Sequence, residues 1–258
     1  MMEQTELAAA VRAARAAGAI LRAGLRSEKH ATTKAHARDP VTVFDKQSES
    51  VIAAILQEGF PDYGILSEEG LDTTGKSRCR WVIDPLDGTN NFLRGLPQFA
   101  VSIGLECSGI PVVGCVYDPS RDELFTAIRG EGAYLNGVPI RVSEKAARED
   151  LLLAVEFSSY PPRAQILHRR LARAIGEVRG IRAVGAAALD LSYVAAGRVD
   201  GALFLSLSPW DVAAGCLIVA EAGGTVTDLS GARLTDPEQG LLATNGRVHA
   251  TVLALTGE

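Results

Sequence analysis

Cysteine is scarce in this chain, with four in 258 residues: Cys79, Cys107, Cys115 and Cys216. No two of them form a C-x-x-C pair and no histidine stands close by. That argues against a zinc site or a disulfide framework and leaves reduced, cytosolic thiols as the expectation. Basic excess is missing as well. A net charge of −5 and a pI near 5.5 offer no cationic stripe for nucleic acid, and a small anionic substrate would need local cations, which metal ions supply. Long apolar runs are absent too, and none is long enough to span a bilayer. The Ala-rich stretch Thr5 to Arg26 carries Leu7, Val11, Gly18, Leu21 and Leu25 at near-helical intervals, is interrupted by Arg12 and Arg15, and has no basic segment ahead of it. It predicts an amphipathic packing helix and not a signal peptide. No internal repeat, low-complexity tract or flexible linker divides the chain.

The chain does have carboxylates placed where apolar runs stop. In Trp81-Val82-Ile83-Asp84-Pro85-Leu86-Asp87-Gly88-Thr89, a strand-like run ends in two acids three positions apart. Oxygen ligands of this kind suit Mg²⁺, and the Gly88-Thr89 turn can aim N–H groups at an anion. Asp-Pro and Asp-Gly are also ordinary turn dipeptides, so the same letters read plainly as a loop exit. The run Gly64 to Ser67 ends in Glu68 and Glu69, of which only one can share a site, because adjacent strand residues point oppositely. Asp45 follows a β-branched run and begins a helical pattern, Lys46 to Leu56, where an acid also suits the helix dipole. In Ser208-Pro209-Trp210-Asp211, Ser and Pro open a helix, and Asp211 fits a capping box as well as it fits a site.

Further along, Val101 to Leu105, Val112 to Tyr117 and Glu123 to Ala127 read as strands, and Asn136-Gly137 is a hairpin signal. After the charged segment 141–150, Leu151 to Phe157 reads as a strand and Ala164 to Ile175 as a helix. A second helix, Ala187 to Ala196, stops at Gly197, and Gly201 to Leu205 returns as a strand before the Trp210 helix, which ends at Gly223-Gly224. The expected organisation is two halves, 1–145 and 146–258.

Taken together, Asp39 to Asp45, Ser67-Glu68-Glu69, Ile83 to Thr89, and Trp210-Asp211 through Glu221-Ala222-Gly223-Gly224 resemble the inositol monophosphatase family, within the Mg²⁺-dependent, lithium-sensitive phosphatases. Val116 to Pro119, Gly132 to Gly137 and Arg182 to Leu191 are similar to bacterial members. The resemblance covers most of the chain. It implies an α/β (α+β) fold, an αβαβα layered sandwich with the site between the halves, and a homodimer in the cytoplasm.

It also implies a division of labour among residues. Glu68, Asp84 and the Leu86 carbonyl would hold a first Mg²⁺, and Asp84, Asp87 and Asp211 a second, with two or three metals per site. Two like charges about 4 Å apart repel by about 4 kcal/mol at an effective dielectric near 20, so four ionised acids in one cleft require such counter-charge. Glu68 and Thr89 would orient the attacking water, with Asp45 behind Thr89. Gly88 and Thr89 N–H groups would bind phosphate, and Asp87, Gly185, Ala187, Phe204 and Asp211 would meet the rest of the substrate. Lys34 falls where the family has a mobile-loop lysine, although a lone lysine is ordinarily just solvated.

The expected substrate is inositol monophosphate or a related small phosphomonoester. Fructose 1,6-bisphosphate, histidinol phosphate, a 3′-phosphoadenosine nucleotide, or a regulatory role on transcription machinery are the alternatives. Inositol-selective relatives carry a Glu seven residues before the Asp of the Trp-Asp pair. This chain has Phe204 there, and no acid lies between Gly201 and Ser208. If Phe204 faces the pocket and not the core, a polar clamp is missing and substrate use is broad.

Overall fold

The computed structural model describes residues 2–27, 31–33, 40–157 and 161–257. Lys34 and Asp39 lie outside the described residues.

The first helix, α1 (Met2–Gly24), turns one small-residue stripe inward: Ala10, Ala13, Ala14, Ala17 and Leu21 are completely buried. That spacing of three, four and seven is a single helix face, and alanine lets α1 lie close on what it covers. A two-stranded ribbon, β1 (Ala31–Thr33) and β2 (Pro40–Thr42), leads into α2 (Val43–Gly59). Thr42 and Asp45 cap α2 reciprocally, each side chain meeting the other residue's backbone N–H.

The larger sheet is built from β3 (Gly64–Ser67), β4 (Asp72–Thr73), β5 (Cys79–Asp87), β6 (Ala100–Cys107), β7 (Ile110–Asp118), β8 (Glu123–Ile128), β9 (Gly132–Leu135) and β10 (Val138–Ile140). Its order is β10-β9-β8-β7-β6-β5-β3-β4, antiparallel except for β3 beside β5. Asn136 and Gly137 carry φ of 50° and 79° between β9 and β10, the two positive values that a two-residue hairpin turn demands. The short helix α3 (Thr89–Leu93) follows β5 directly.

The smaller sheet joins β11 (Leu152–Val155), β12 (Gly180–Arg182), β13 (Gly201–Phe204), β14 (Thr225–Thr227) and β15 (Leu241–Thr244) in the order β12-β11-β13-β15-β14. The helices α4 (Pro161–Ala174), α5 (Ala187–Ala195), α6 (Pro209–Glu221) and α7 (His249–Thr256) complete the chain.

Three apolar layers define the stack. Ala10, Ile52, Trp81, Ile83, Ile103 and Tyr117 unite α1 and α2 with the outer face of the large sheet. Val116, Phe125, Leu191, Ile218, Ala154 and Ala243 join that sheet's inner face, α5, α6 and the small sheet. Leu153, Val155, Leu203, Leu171 and Val252 tie the small sheet's other face to α4 and α7. The architecture is the αβαβα sandwich, and the large sheet spans residues 64–140 while the small one spans 152–244. The inner layer is thin because two glycines let α6 touch the sheet. A Cβ on Gly104 would stand 2.8 Å from Ala213 Cβ, and one on Gly114 2.7 Å from the Ala214 carbonyl oxygen.

The cysteines depart from expectation. Cys79 and Cys107 are directly opposite each other on β5 and β6 and form a disulfide, with Cα atoms 4.0 Å apart. Only Cys115 and Cys216 are free. A cross-strand pair 28 positions apart has no spacing signature, because antiparallel register alone brings the two thiols together.

Candidate active site

An irregularity in β5 creates the acidic corner. Asp84 pairs with Ser102, but Asp87 pairs with Ala100, so three steps on β5 oppose two on β6. On a regular strand two residues three apart point to opposite faces; one extra residue in a bulge returns both to the same side. Pro85 sits inside this bulge, where its missing N–H costs no ladder bond. Asp84 and Asp87 are 2% and 7% exposed and face the inner layer.

Asp211 reaches the same corner from α6. Its Oδ2 accepts from the Ser208 N–H at 2.7 Å in a capping box, and the Ser102 hydroxyl donates to the Trp210 carbonyl at 3.3 Å, tying the start of α6 to β6. Capping and site geometry therefore coexist in one carboxylate. Glu68 lies just past β3, its N–H bonded to the Ile83 carbonyl, and its side chain hydrogen-bonds Asp84. Asp87 accepts from the Ala187 and Ala188 N–H groups at 3.2 and 2.8 Å, at the first turn of α5. Ala187, expected to meet substrate, gives its backbone N–H to Asp87.

Asp45 faces the corner from α2. Its Oδ2 caps Thr42 and its Oδ1 lies 3.2 Å from the Thr89 hydroxyl, which also stands 3.0 Å from the Leu86 carbonyl. A hydroxyl has one hydrogen, so Thr89 can donate to only one of them at a time. Gly88 precedes Thr89 with φ of 86°, and a Cβ there would stand 2.8 Å from the Gln98 carbonyl, so glycine is required on both counts. The Asn91 side-chain amide donates to Gln98 and Val184 carbonyls at 2.8 Å each and fastens α3 to the loop carrying Gly185.

The electrostatics are those of an acid cluster short of positive charge. Burial, then Glu68, Asp87 and Asp211, pushes Asp84 well above the carboxylate range. Burial, then Asp87 and Glu68, does the same to Asp211. Asp87 is pushed up to about 7 by burial and then by Glu156, against the pull of the Ala188 N–H. Among the described residues no three acids, histidines or cysteines already stand as a finished metal-holding set. The donor chemistry nevertheless fits a hard divalent cation: four carboxylates and a carbonyl, all oxygen, with no lysine or arginine among the largest influences on Asp84, Asp87 and Asp211. Glu68, Asp84, Asp87, Asp211 and the Leu86 carbonyl are the residues that would hold it.

Two acids escaped notice in the sequence. Asp190 on α5 is 0% exposed with both carboxylate oxygens unpartnered, and is pushed up to about 9 by burial and then by Asp87 and Glu156. Glu156, one residue past β11, is raised by burial. Each is a lone acid in an apolar run, with no neighbouring acid or glycine to flag it. Phe204 needs correction as a substrate contact. It is 1% exposed and belongs to the inner apolar layer with Leu189, Leu217 and Leu241, because β13 is covered on both faces.

A layered α/β sandwich that buries a cluster of acids between its two sheets is the class of protein to which the chain belongs. The model of the Inositol monophosphatase family matches residues 2–258, and the chain belongs to that family. A protein from Pasteurella multocida named Nus factor SuhB is 45% identical over 86% of this chain and 84% of its own. Inositol monophosphatase 1 of Solanum lycopersicum is 42% identical over 93% of this chain and 90% of its own. The crystal structure of the extragenic suppressor protein SuhB from Bartonella henselae superposes with a TM-score of 0.93 at 40% identity, covering 97% of each chain.

Proposed function

We propose that the chain is a Mg²⁺-dependent phosphomonoesterase acting on inositol monophosphate and related small sugar or polyol phosphates. The observation that carries this is the β5 bulge, which sets Asp84 and Asp87 on one face opposite Asp211 and beside Glu68. Divalent metal held there would supply Lewis acidity, lowering the pKa of water and balancing charge on the phosphate and the departing alkoxide. Thr89 and Glu68 orient the attacking water, and Asp45 takes the hydrogen bond of the Thr89 hydroxyl. Backbone N–H groups of Gly88 and Thr89 hold phosphate oxygens. No covalent phosphoenzyme is required.

Phosphate release should depend on Mg²⁺, disappear with EDTA, and be inhibited by lithium. The panel is inositol monophosphate, glycerol 2-phosphate, fructose 1,6-bisphosphate, histidinol phosphate and a 3′-phosphoadenosine nucleotide. Turnover confined to one of the last three would reassign the substrate; no turnover of any would overturn the enzyme reading. A second role on transcription machinery is favoured by the name of the Pasteurella multocida relative. Co-migration with purified RNA polymerase on size exclusion tests it. A cytoplasmic homodimer completes the reading, tested by light scattering and by cell fractionation.

A further inference from the structure

Glu156 is the one acid of the corner that comes from the small sheet's strand ends. It immediately follows β11, whose Val155 pairs in parallel with Leu203, so Glu156 stands level with Phe204 at the carboxyl ends of two parallel strands. Carboxyl ends of parallel strands are where open α/β sheets place their ligands. Continued one residue past β11, the strand's alternation turns Glu156 towards the acids it perturbs. Ala154 belongs to the inner layer with α5 and α6, Val155 to the outer layer with α4 and α7, and Glu156 returns to the inner side. There it approaches Asp87, Asp190 and Asp211 closely enough to perturb all three. Its Oε2 is closed to solvent and finds no donor among the described residues.

A buried acceptor without a donor costs roughly 1–3 kcal/mol unless something supplies the hydrogen bond. Helix capping does not explain it, because Asp87 already holds the α5 N–H groups. Phe204 beside it adds an apolar wall that contributes no donor. The acids that would anchor the phosphate end belong to β3, β5 and α6, whereas Glu156 belongs to the sheet on the other side of the α5–α6 layer. On the phosphatase reading, the part of an ester on that side of the layer is its alcohol.

We propose that Glu156 is a specificity-determining residue that accepts a hydrogen bond from a hydroxyl of the substrate's alcohol, selecting polyol phosphates over esters of simple alcohols. This rests on the phosphatase reading above. A site built to bond a hydroxyl rejects analogues that lack it, because its own polar group is then left unpaired.

The test compares kcat/KM for inositol 1-phosphate and ethyl phosphate, which has no free hydroxyl, with Mg²⁺, in the wild type, Glu156→Gln and Glu156→Leu. The wild type should prefer inositol 1-phosphate, and Glu156→Leu should narrow that preference by about tenfold or more, carried by KM, with Glu156→Gln intermediate. Thermal unfolding of both variants should be no lower than the wild type, since a crowded acid has been removed. An unchanged preference, or an equal fall on both substrates with a raised Mg²⁺ requirement, would overturn the role of Glu156 while leaving the phosphatase reading intact. A wild type that hydrolyses neither ester would overturn the role of Glu156, and would overturn the phosphatase reading as well if the remaining esters of the panel were also untouched.

Discussion

Asp84 has the most to lose among the acids of the corner, since it hydrogen-bonds Glu68 and feels Asp87 and Asp211 as well. Asp84→Asn should reduce phosphate release by about a hundredfold or more, by analogy with removal of one electrostatic contact to a transition state. Circular dichroism of the metal-free variant should show an unfolding midpoint at or above the wild type, because one repelling charge has gone. Full turnover in this variant would dismiss the carboxylate mechanism. Phe204 should behave in the opposite way. Phe204→Ala empties a fully buried ring position and should cost about 3–5 kcal/mol in denaturant unfolding, with KM for inositol monophosphate little changed. A large KM effect without destabilisation would return Phe204 to the substrate pocket.

At the scale of elements, the approach of α6 to the large sheet sets where Asp211 stands. Gly104→Ala puts a Cβ 2.8 Å from Ala213 Cβ, so helix or sheet must give way. The expected outcome is a lower melting temperature together with a higher Mg²⁺ concentration for half-maximal activity. A change in the first without the second would mean that Asp211 does not depend on this contact. The sequence made the acids legible because Asp84, Asp87 and Asp211 sit beside Pro, Gly or Trp at the ends of apolar runs. It did not show how Asp84 and Asp87 share a face, since a spacing of three on a strand reads as opposite faces until the bulge is known. Phe204 was undecided for a related reason: Gly201 to Phe204 is buried on both faces, so no polar alternation reveals which side is which. The disulfide was invisible because register, and not spacing, joins Cys79 to Cys107. The layered stack was legible through the family's motifs, while composition alone bounded only the size of the core.

For the whole molecule, the acid cluster predicts an unusual pH dependence in the metal-free protein. An acid whose folded pKa exceeds its unfolded value of about 3.9 keeps its proton in the fold after the unfolded chain has lost it. The folded state then binds more protons, and stability falls as pH rises, by about 1.4 kcal/mol per pH unit for each such group inside its window. The window closes at about 7 for Asp87 and about 9 for Asp190. Urea unfolding in EDTA should therefore give lower stability at pH 8 than at pH 5, and Mg²⁺ should recover it at pH 8. Stability that rises over this range would show that the acids are already compensated. The disulfide sets a second whole-molecule expectation. Thiol titration of the denatured, unreduced protein should find two thiols, Cys115 and Cys216, and reduction should expose two more. Closing a loop of that length stabilises by about 3–4 kcal/mol in the chain-entropy picture.

Three helices begin at this corner with one of its acids at the first turn: Asp45 on α2, Asp87 against α5, and Asp211 on α6. A cation held by Asp87 and Asp211 competes with the amides they now hold, so its arrival is felt along α5 and α6 at once. Amide hydrogen exchange at Ala188 and Ser208 should therefore change together on metal titration, at one common midpoint, while Thr42, capped by Asp45, serves as the internal reference. The ends of α5 and α6 are gauges of occupancy, readable without any substrate turning over.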